Sequence, residues 1–414
     1  MKYNKNHIKH KVVLLLCSLF FVIQGNSQEL ETYIATALEN NPEIQKFELQ
    51  YAIATEKVNE VNTLPNTDFS ASYFIIEPET RTGTQRFKVS AKQMFPWFGT
   101  ITSRENYASA LAEIDYEAIV IAKRKLIVSV SESYYKLYVN KAKQAVLTEN
   151  IELLDTYEAL ALTSVEVGKA SAVDVFRLQI RQNELEQLQQ VLEYEFLAEQ
   201  TAFNKLLNRD SAIEVPIVES LLMPSEALEI TTENLALHPE LLKYDRLFNS
   251  VTQSELLNQK ESHLSFGFGI DYINIQPDSD ITFSKNGQDI LMPTVSLSIP
   301  IFNKKYKSKT KQNKLQQQEI EFQKQDRLNT LETLLDKAIN DRKSARISYN
   351  TQVKNLKQAK DAESILVRSY ETGTIDFNDV LDIQELQLKF QMNQIESVKA
   401  YYLQTIIINY LTQQ

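Results

Sequence analysis

The chain has a single cysteine, Cys17, and it lies within the first 27 residues, which read as a secretory leader. Lys2, Lys5, Lys9 and Lys11 supply the basic start, residues 12–23 the apolar run, and Gly25 and Ser27 the small residues before a cleavage point at Gln28. The mature chain therefore has no thiol for a disulfide, a zinc–thiolate site or a nucleophile. Leu16 before Cys17 is too large for a lipidation site. Histidine is nearly absent too. Only His238 and His263 follow the leader, far apart, which leaves neither a histidine-based triad nor a metal cluster, and no cofactor or catalytic constellation is expected. The formal charge is −10, and losing the four leader lysines makes it more negative, so nucleic acid is an unsuitable partner. No later segment reaches about 18 uninterrupted apolar residues, so any membrane crossing must be made by strands.

Helix breakers are missing from two long blocks. Residues 101–215 contain no proline and only Gly168, and residues 301–414 contain no proline and only Gly373. Blocks so rich in Leu, Glu, Gln, Lys and Ala predict long helices, each turned back at its one glycine. The first helix of each pair would run on the order of 100 Å at 1.5 Å per residue, which calls for coiled-coil packing. Ile114, Ile121, Val128, Tyr135 and Ala142 recur every seven residues, as do Leu381, Leu388, Ile395 and Tyr402.

Alternation appears outside these blocks. Leu264, Phe266, Phe268, Ile270 and Tyr272 oppose Ser265, Gly267, Gly269 and Asp271 within residues 263–275. Val295, Leu297, Ile299 and Ile301 oppose Thr294, Ser296 and Ser298, and Phe87, Val89 and Ala91 oppose Lys88, Ser90 and Lys92. Phe69, Ala71, Tyr73 and Ile75 make a fourth run. An apolar face opposite a small or polar one suits a barrel strand between lipid and a wet lumen, and also a half-buried soluble hairpin.

The chain also repeats itself. Asn41-Pro42-Glu43-Ile44 matches His238-Pro239-Glu240-Leu241 at an offset of 197, and VEVGKASAVDVFRLQ (165–179) matches YETGTIDFNDVLDIQ (370–384) at 205. The expected organisation is a leader at 1–27, a first repeat at 28–215, a linker at 216–230 and a second repeat at 231–414, each repeat running helix, hairpin, long helix, turn, helix. Two repeats supply four strands. Outer-membrane barrels begin at about eight and tolerate no open edge in lipid, so one chain cannot close a barrel alone.

ALENNPEIQ (37–45), FPWFG (95–99), SIPIFN (298–303) and the two glycine-turn motifs occur in an order that resembles the TolC-like outer membrane efflux protein family over essentially the whole mature chain. The resemblance implies a homotrimer in the outer membrane of a Gram-negative bacterium, with a twelve-stranded barrel and a helical tunnel reaching into the periplasm. It further implies a passive exit duct of a tripartite efflux or type I secretion system, working with a periplasmic adaptor and an inner-membrane transporter. A soluble periplasmic coiled-coil adaptor or scaffold is the alternative, and it would lack barrel strands.

The resemblance also places candidate sites. Gly168 and Gly373 would mark turns where the adaptor docks, although a glycine there can simply supply a left-handed turn. Asp379 and Asp382 match the carboxylates that ring the family's constricted mouth, with Asp174 the first-repeat counterpart of Asp379. The other reading has Asp376 or Asp379 capping the returning helix. An arginine that holds the family's mouth shut is replaced here by Ile375. Phe95, Trp97 and Phe98 would join an aromatic girdle at the lipid interface, or pack at the barrel–tunnel junction. Lys304, Lys305, Lys307, Lys309, Lys311 and Lys314 would meet anionic headgroups, or form a solvated helix start.

Overall fold

The computed structural model describes residues 25–412 apart from 170, 225–231, 281, 283 and 303, with the backbone alone at 25–28 and 232–234. Residues 1–24 of the expected leader and most of the second half of the expected 216–230 linker lie outside the described residues. The elements run α1 (Gly25–Asn40), α2 (Pro42–Val61), β1 (Thr67–Tyr73), β2 (Glu79–Thr80), β3 (Gly83–Phe95), α3 (Thr100–Glu166) and α4 (Ala172–Leu206). A short 3-10 helix (Thr232–Leu237) precedes α5 (Pro239–Glu261), β4 (Ser265–Gln276), β5 (Ile290–Ser298), α6 (Lys304–Glu371) and α7 (Asn378–Thr412). Helix α3 has 67 residues and α6 has 68, as the missing breakers imply. No described helix is long and apolar enough to cross a membrane.

The chain divides into two compact units. One comprises Met1–Lys46, Val120–His238 and Leu328–Gln414, and its described residues are helical apart from the connections. Leu147, Leu154, Leu178, Leu185, Phe377 and Val380 form one of its cores, and Ile44, Val130, Tyr134, Leu137, Phe203 and Leu207 another. Burying each such side chain contributes roughly 2 kcal/mol.

The buried heptad seam is not the one the large apolar residues mark. Ala112, Ile119, Leu126, Ser133, Leu147, Leu154 and Ala161 share one seven-residue phase of α3 and are all buried. Of Ile114, Ile121, Val128, Tyr135 and Ala142, only Tyr135 is buried and the rest are intermediate. Small Ala and Ser let helices approach closely yet carry little apolar signal in a sequence. In α7 the marked heptad is mixed, with Leu388 buried and Leu381, Ile395 and Tyr402 half-exposed, while Val380, Gln384 and Gln387 are buried as well.

The other unit comprises Phe47–Ile119 and Pro239–Arg327 and carries the sheet. All pairings are antiparallel, in the order β1-β3-β4-β5, with β2 added to β3. The hairpin of each half is thus joined to the other through β3 and β4, and β1 and β5 are the open edges. Strand β5 begins at Ile290, before the alternation seen in the sequence, and includes Pro293, which an edge strand tolerates because it has a side without ladder partners. It ends at Ser298, so Ile299 and Ile301 fall outside it. Strand β1 stops at Tyr73, two residues short of Ile75. Helices α5 and α6 meet along a polar seam: Glu255 accepts from Thr310 Oγ1 at 2.9 Å and Asn313 Nδ2 at 2.8 Å, and Asn258 Nδ2 donates to the Tyr306 carbonyl at 3.1 Å.

Candidate functional site

The sheet has two chemically different faces, and the register aligns them across all four main strands. Phe69, Ala91, Ile270 and Pro293 form one cross-strand row, and Ala71, Val89, Tyr272 and Leu291 form the next. Phe69 is 77% exposed and Val295 71%, and Tyr73, Phe268, Ile270, Leu291 and Leu297 are exposed as well. A contiguous apolar face of this extent is something a soluble monomer avoids.

The opposite face carries Ser70, Lys88, Ser90, Lys92, Asp271, Thr294 and Ser296. There Lys88 Nζ lies 3.0 Å from Asp271, and the Ser90 hydroxyl donates to the same carboxylate. This polar knot ties the strand of one half to that of the other. Gly267 and Gly269 lie beneath side chains from both neighbours: a Cβ at Gly267 would sit 2.3 Å from Ser296 Oγ and 2.5 Å from Met94 Sδ.

At the end of the sheet where β3 gives way to α3, the Trp97 ring stacks on His263 at 5.4 Å and on Phe266 at 5.8 Å. Phe95 meets Phe268 edge-on at 5.9 Å, and Phe98 is exposed. Trp97 and Phe98, with ring centroids 5.6 Å apart, therefore cluster on Phe266, while Phe95 pairs separately with Phe268.

Both glycine turns have the same geometry. Gly168 and Gly373 each have φ of 71°. Gly168 N–H donates to the Val165 carbonyl at 3.0 Å and Lys169 N–H to the Ser164 carbonyl at 2.8 Å. The Gly373 turn repeats this, with Gly373 to Tyr370 at 2.8 Å and Thr374 to Ser369 at 3.0 Å. These are Schellman closures, in which a left-handed residue lets two amides satisfy the last free carbonyls of a helix. A Cβ at either glycine would meet nothing within 4 Å, so both turns protrude.

Beyond the turns the carboxylates part company. Asp376 Oδ1 accepts from the Asn378 N–H at 3.3 Å, so the capping of α7 falls to Asp376. Asp379 and Asp382 lie three residues apart on α7 and are both exposed. Asp174, in the first turn of α4, is only 7% exposed, and its carboxyl is in hydrogen-bonding contact with that of Asp376. Burial, then the neighbouring Asp376 charge, pushes the Asp174 carboxyl above its ordinary range, against the opposing pull of the Ser171 backbone and Arg177. The guanidinium of Arg177 also donates to Asn378 Oδ1, making a second link between the two turns.

Two more links between the hairpins lie further along and are not legible from spacing. Tyr157 Oη donates to Glu363 at 2.6 Å, and Lys143 Nζ meets Glu396 at 2.6 Å. Burial raises the Tyr157 hydroxyl well above the usual range for tyrosine, and the Glu363 bond adds to this. Ile375, standing where the family's latch arginine was expected, packs against the core that contains Phe377 and Tyr370. Among the described residues no cluster of metal-ligating side chains occurs.

No protein-family model matches the chain, and no curated protein matches its sequence. Solved structures do match its fold. CusC, studied for its folding and transmembrane channel formation, superposes with a TM-score of 0.77 at 14% identity, covering 93% of this chain and 92% of CusC. The outer membrane protein VceC of Vibrio cholerae gives 0.75 at 15% identity over 93% of this chain and 96% of VceC. The open state of the MtrE outer membrane channel of Neisseria gonorrhoeae gives 0.72 at 15% identity over 93% and 88%. With long helical hairpins and a four-strand share of an antiparallel sheet, this chain has the fold of these bacterial outer-membrane channels.

Proposed function

We propose that the protein is the outer-membrane exit duct of a tripartite efflux or type I secretion system, a passive channel that extends into the periplasm of a Gram-negative cell. The observation that carries this reading is the sheet, apolar and exposed on one face, polar on the other, and open at β1 and β5. In hydrocarbon an open edge leaves backbone amides and carbonyls unpaired at several kcal/mol each. Copies of the chain must therefore pair β5 of one with β1 of the next. Three copies supply twelve main strands, and the homotrimer encloses a lumen lined by the Lys88–Asp271 face.

Residues 28–215 and 231–414 act as two copies of one unit, each giving a hairpin to the barrel and a helical pair to the tunnel. The Gly168 and Gly373 turns are the ends to which a periplasmic adaptor docks, and an inner-membrane transporter supplies the energy. Asp379 and Asp382, exposed and freed from capping, form the carboxylate rings at the mouth. Asp174 acts at the same mouth by joining the two hairpins rather than by lining the pore. Phe95, Trp97 and Phe98 anchor the barrel end in outer-membrane lipid.

A soluble adaptor would have no use for the exposed Phe69–Val295 face. Expression of the full chain, followed by outer-membrane fractionation and reconstitution in planar bilayers, tests the reading. Membrane-inserted trimers with stepwise conductance are expected. A monomer that stays in the soluble periplasmic fraction would overturn it.

A further inference from the structure

The lysines that open α6 have no counterpart in the first half of the chain. Helix α3 begins after the corresponding strand, and the cation near its start, Arg104, is neutralised by Glu261 at 3.1 Å. Helix α6 begins with Lys304, Lys305, Lys307, Lys309, Lys311 and Lys314. All are exposed except the half-exposed Lys309, and none forms an ion pair among the described residues. Lys304, Lys307, Lys311 and Lys314, spaced by three, four and three residues, share one helix face. Tyr306, Thr310, Asn313 and Gln317 instead face α5, where their backbone or side chains bond Asn258, Glu255 and Thr252. Cations in the first turn also oppose the helix dipole, so their concentration here calls for a compensating negative charge from outside the chain.

What lies just before them indicates its source. Ile299, Ile301 and Phe302 are exposed, Phe302 at 90%, and they follow directly in the chain on the exposed Val295 and Leu297 of β5. Along the chain, a greasy surface passes within a few residues into ammonium groups without carboxylate partners, of which Lys305 lies over the Tyr306 ring at 5.7 Å, the order of a bilayer edge read from hydrocarbon to headgroup. We propose that the start of α6 is a binding surface for anionic phospholipid headgroups of the periplasmic leaflet, with Ile299, Ile301 and Phe302 among the acyl chains and Lys304, Lys305 and Lys307 on the phosphates. This rests on the reading that the sheet faces lipid. A headgroup layer is about 5–7 Å deep on each side of the hydrocarbon, and a helix rises 1.5 Å per residue. Leaving along the bilayer normal, α6 has Lys307 about 5 Å and Lys314 about 15 Å beyond Lys304. The first three lysines reach the layer, whereas Lys314 lies beyond a Debye length of about 8 Å. Binding is therefore graded along the helix.

Trp97 is the sole tryptophan of the chain and stacks on Phe266, whose partner across the ladder is Leu297. It reports lipid at this end of the sheet. The trimer is reconstituted in vesicles of phosphatidylcholine and phosphatidylglycerol, with bromine on the acyl chains of one or the other, and Trp97 quenching gives their relative affinity. At roughly fivefold per lysine near the surface, the parent should prefer the glycerol lipid by tenfold or more. Lys304→Gln/Lys305→Gln/Lys307→Gln should bring the ratio to within about twofold of unity, while Lys311→Gln/Lys314→Gln keeps most of it. Quenching by both lipids without a preference in the parent, a triple variant that keeps the preference, or equal loss in the distal pair would each overturn the proposal while leaving the channel reading intact. Dissociation of the triple variant into monomers would overturn it in favour of a contact with a second copy. Absence of quenching by either lipid would sink the lipid-facing assignment of the sheet itself.

Discussion

The side-chain amide of Asn41 donates a 2.9 Å hydrogen bond to the carbonyl of Leu206, joining the residue before α2 to the C-terminus of α4. Asn41 also accepts from the Glu43 N–H at 2.9 Å and so caps α2. His238 holds the matching position before α5, with Nε2 3.2 Å from the carbonyl of Tyr410 near the end of α7, which requires the proton on Nε2. In each half, the residue before the Pro-Glu pair fastens the end of the returning helix to the start of the helix that leads into the hairpin of the same half. Asn41→Ala removes a cap and a helix-end bond together and should destabilise this region by about 1–2 kcal/mol. His238 is 1% exposed and packs edge-on against the Tyr410 ring at 5.1 Å, so His238→Ala should cost more, about 2–4 kcal/mol. Hydrogen exchange at the last turns of α4 and α7 measures both. Equal protection in parent and variants would show that the clamps are idle.

The contact between Asp174 and Asp376 should respond to pH. A carboxyl pair shares a hydrogen bond only while it holds a proton, and the folded state raises Asp174 above its reference value of 3.8. The resulting stabilisation is fully present below that reference value. It is lost as pH rises through the raised value, because two neighbouring carboxylates then repel. Arg177 and Tyr370 are the other titratable groups facing the pair. Cys17 is the single cysteine of the chain and is first replaced by serine, so that spin labels on cysteines introduced at Lys169 and Thr372 report the spacing of the two turns. The distribution should narrow on acidification in the parent and stay constant in Asp376→Asn, whose amide bonds a carboxylate without a shared proton. A parent spacing that ignores pH would refute the linkage.

Alanine at both Asp379 and Asp382 should relieve block of the channel by multivalent cations. In the proposed trimer these positions would bring six carboxylates round a threefold axis, which repel one another and gain from a bound cation. Because Asp376 does the capping, the double variant should leave the start of α7 intact. At least a tenfold rise in the blocking concentration of a trivalent cation is expected in single-channel recordings. Unchanged block in an intact trimer would remove both residues from the mouth.

Substitution of the glycines should separate by what surrounds them. Gly168→Ala and Gly373→Ala meet no atom within 4 Å and carry only the left-handed backbone cost of roughly 1–2 kcal/mol. Gly83, with φ of 122°, would place its Cβ 2.1 Å from the backbone oxygen of Gln276. Gly83→Ala must therefore disturb the β3–β4 ladder. Heat-stable oligomer on gels should survive the two turn variants and fall sharply in Gly83→Ala. Similar yields from all three would contradict this account.

The sequence by itself determined what depends on neighbours along the chain. Absence of proline and glycine from two blocks sets the length of α3 and α6, because nothing local interrupts their backbone bonding. Gly168 and Gly373 set the turns, because a left-handed residue is needed to close each helix. Alternation around Phe268 and Val295 sets strands with one apolar face. Only tertiary structure decided how these parts meet. It placed β3 beside β4, so that Lys88 and Ser90 of one half share Asp271 of the other. It chose the Ala112–Ile119–Leu126–Ser133 seam over the more apolar one, since close helix packing rewards small residues that a hydrophobic pattern overlooks. It also buried Asp174 against Asp376 while leaving Asp379 and Asp382 in the open. Asp174 and Asp379 hold matching places in the two repeats, yet Asp174 lies against Asp376 and Asp379 is exposed, a relation between residues two hundred positions apart that no local pattern encodes.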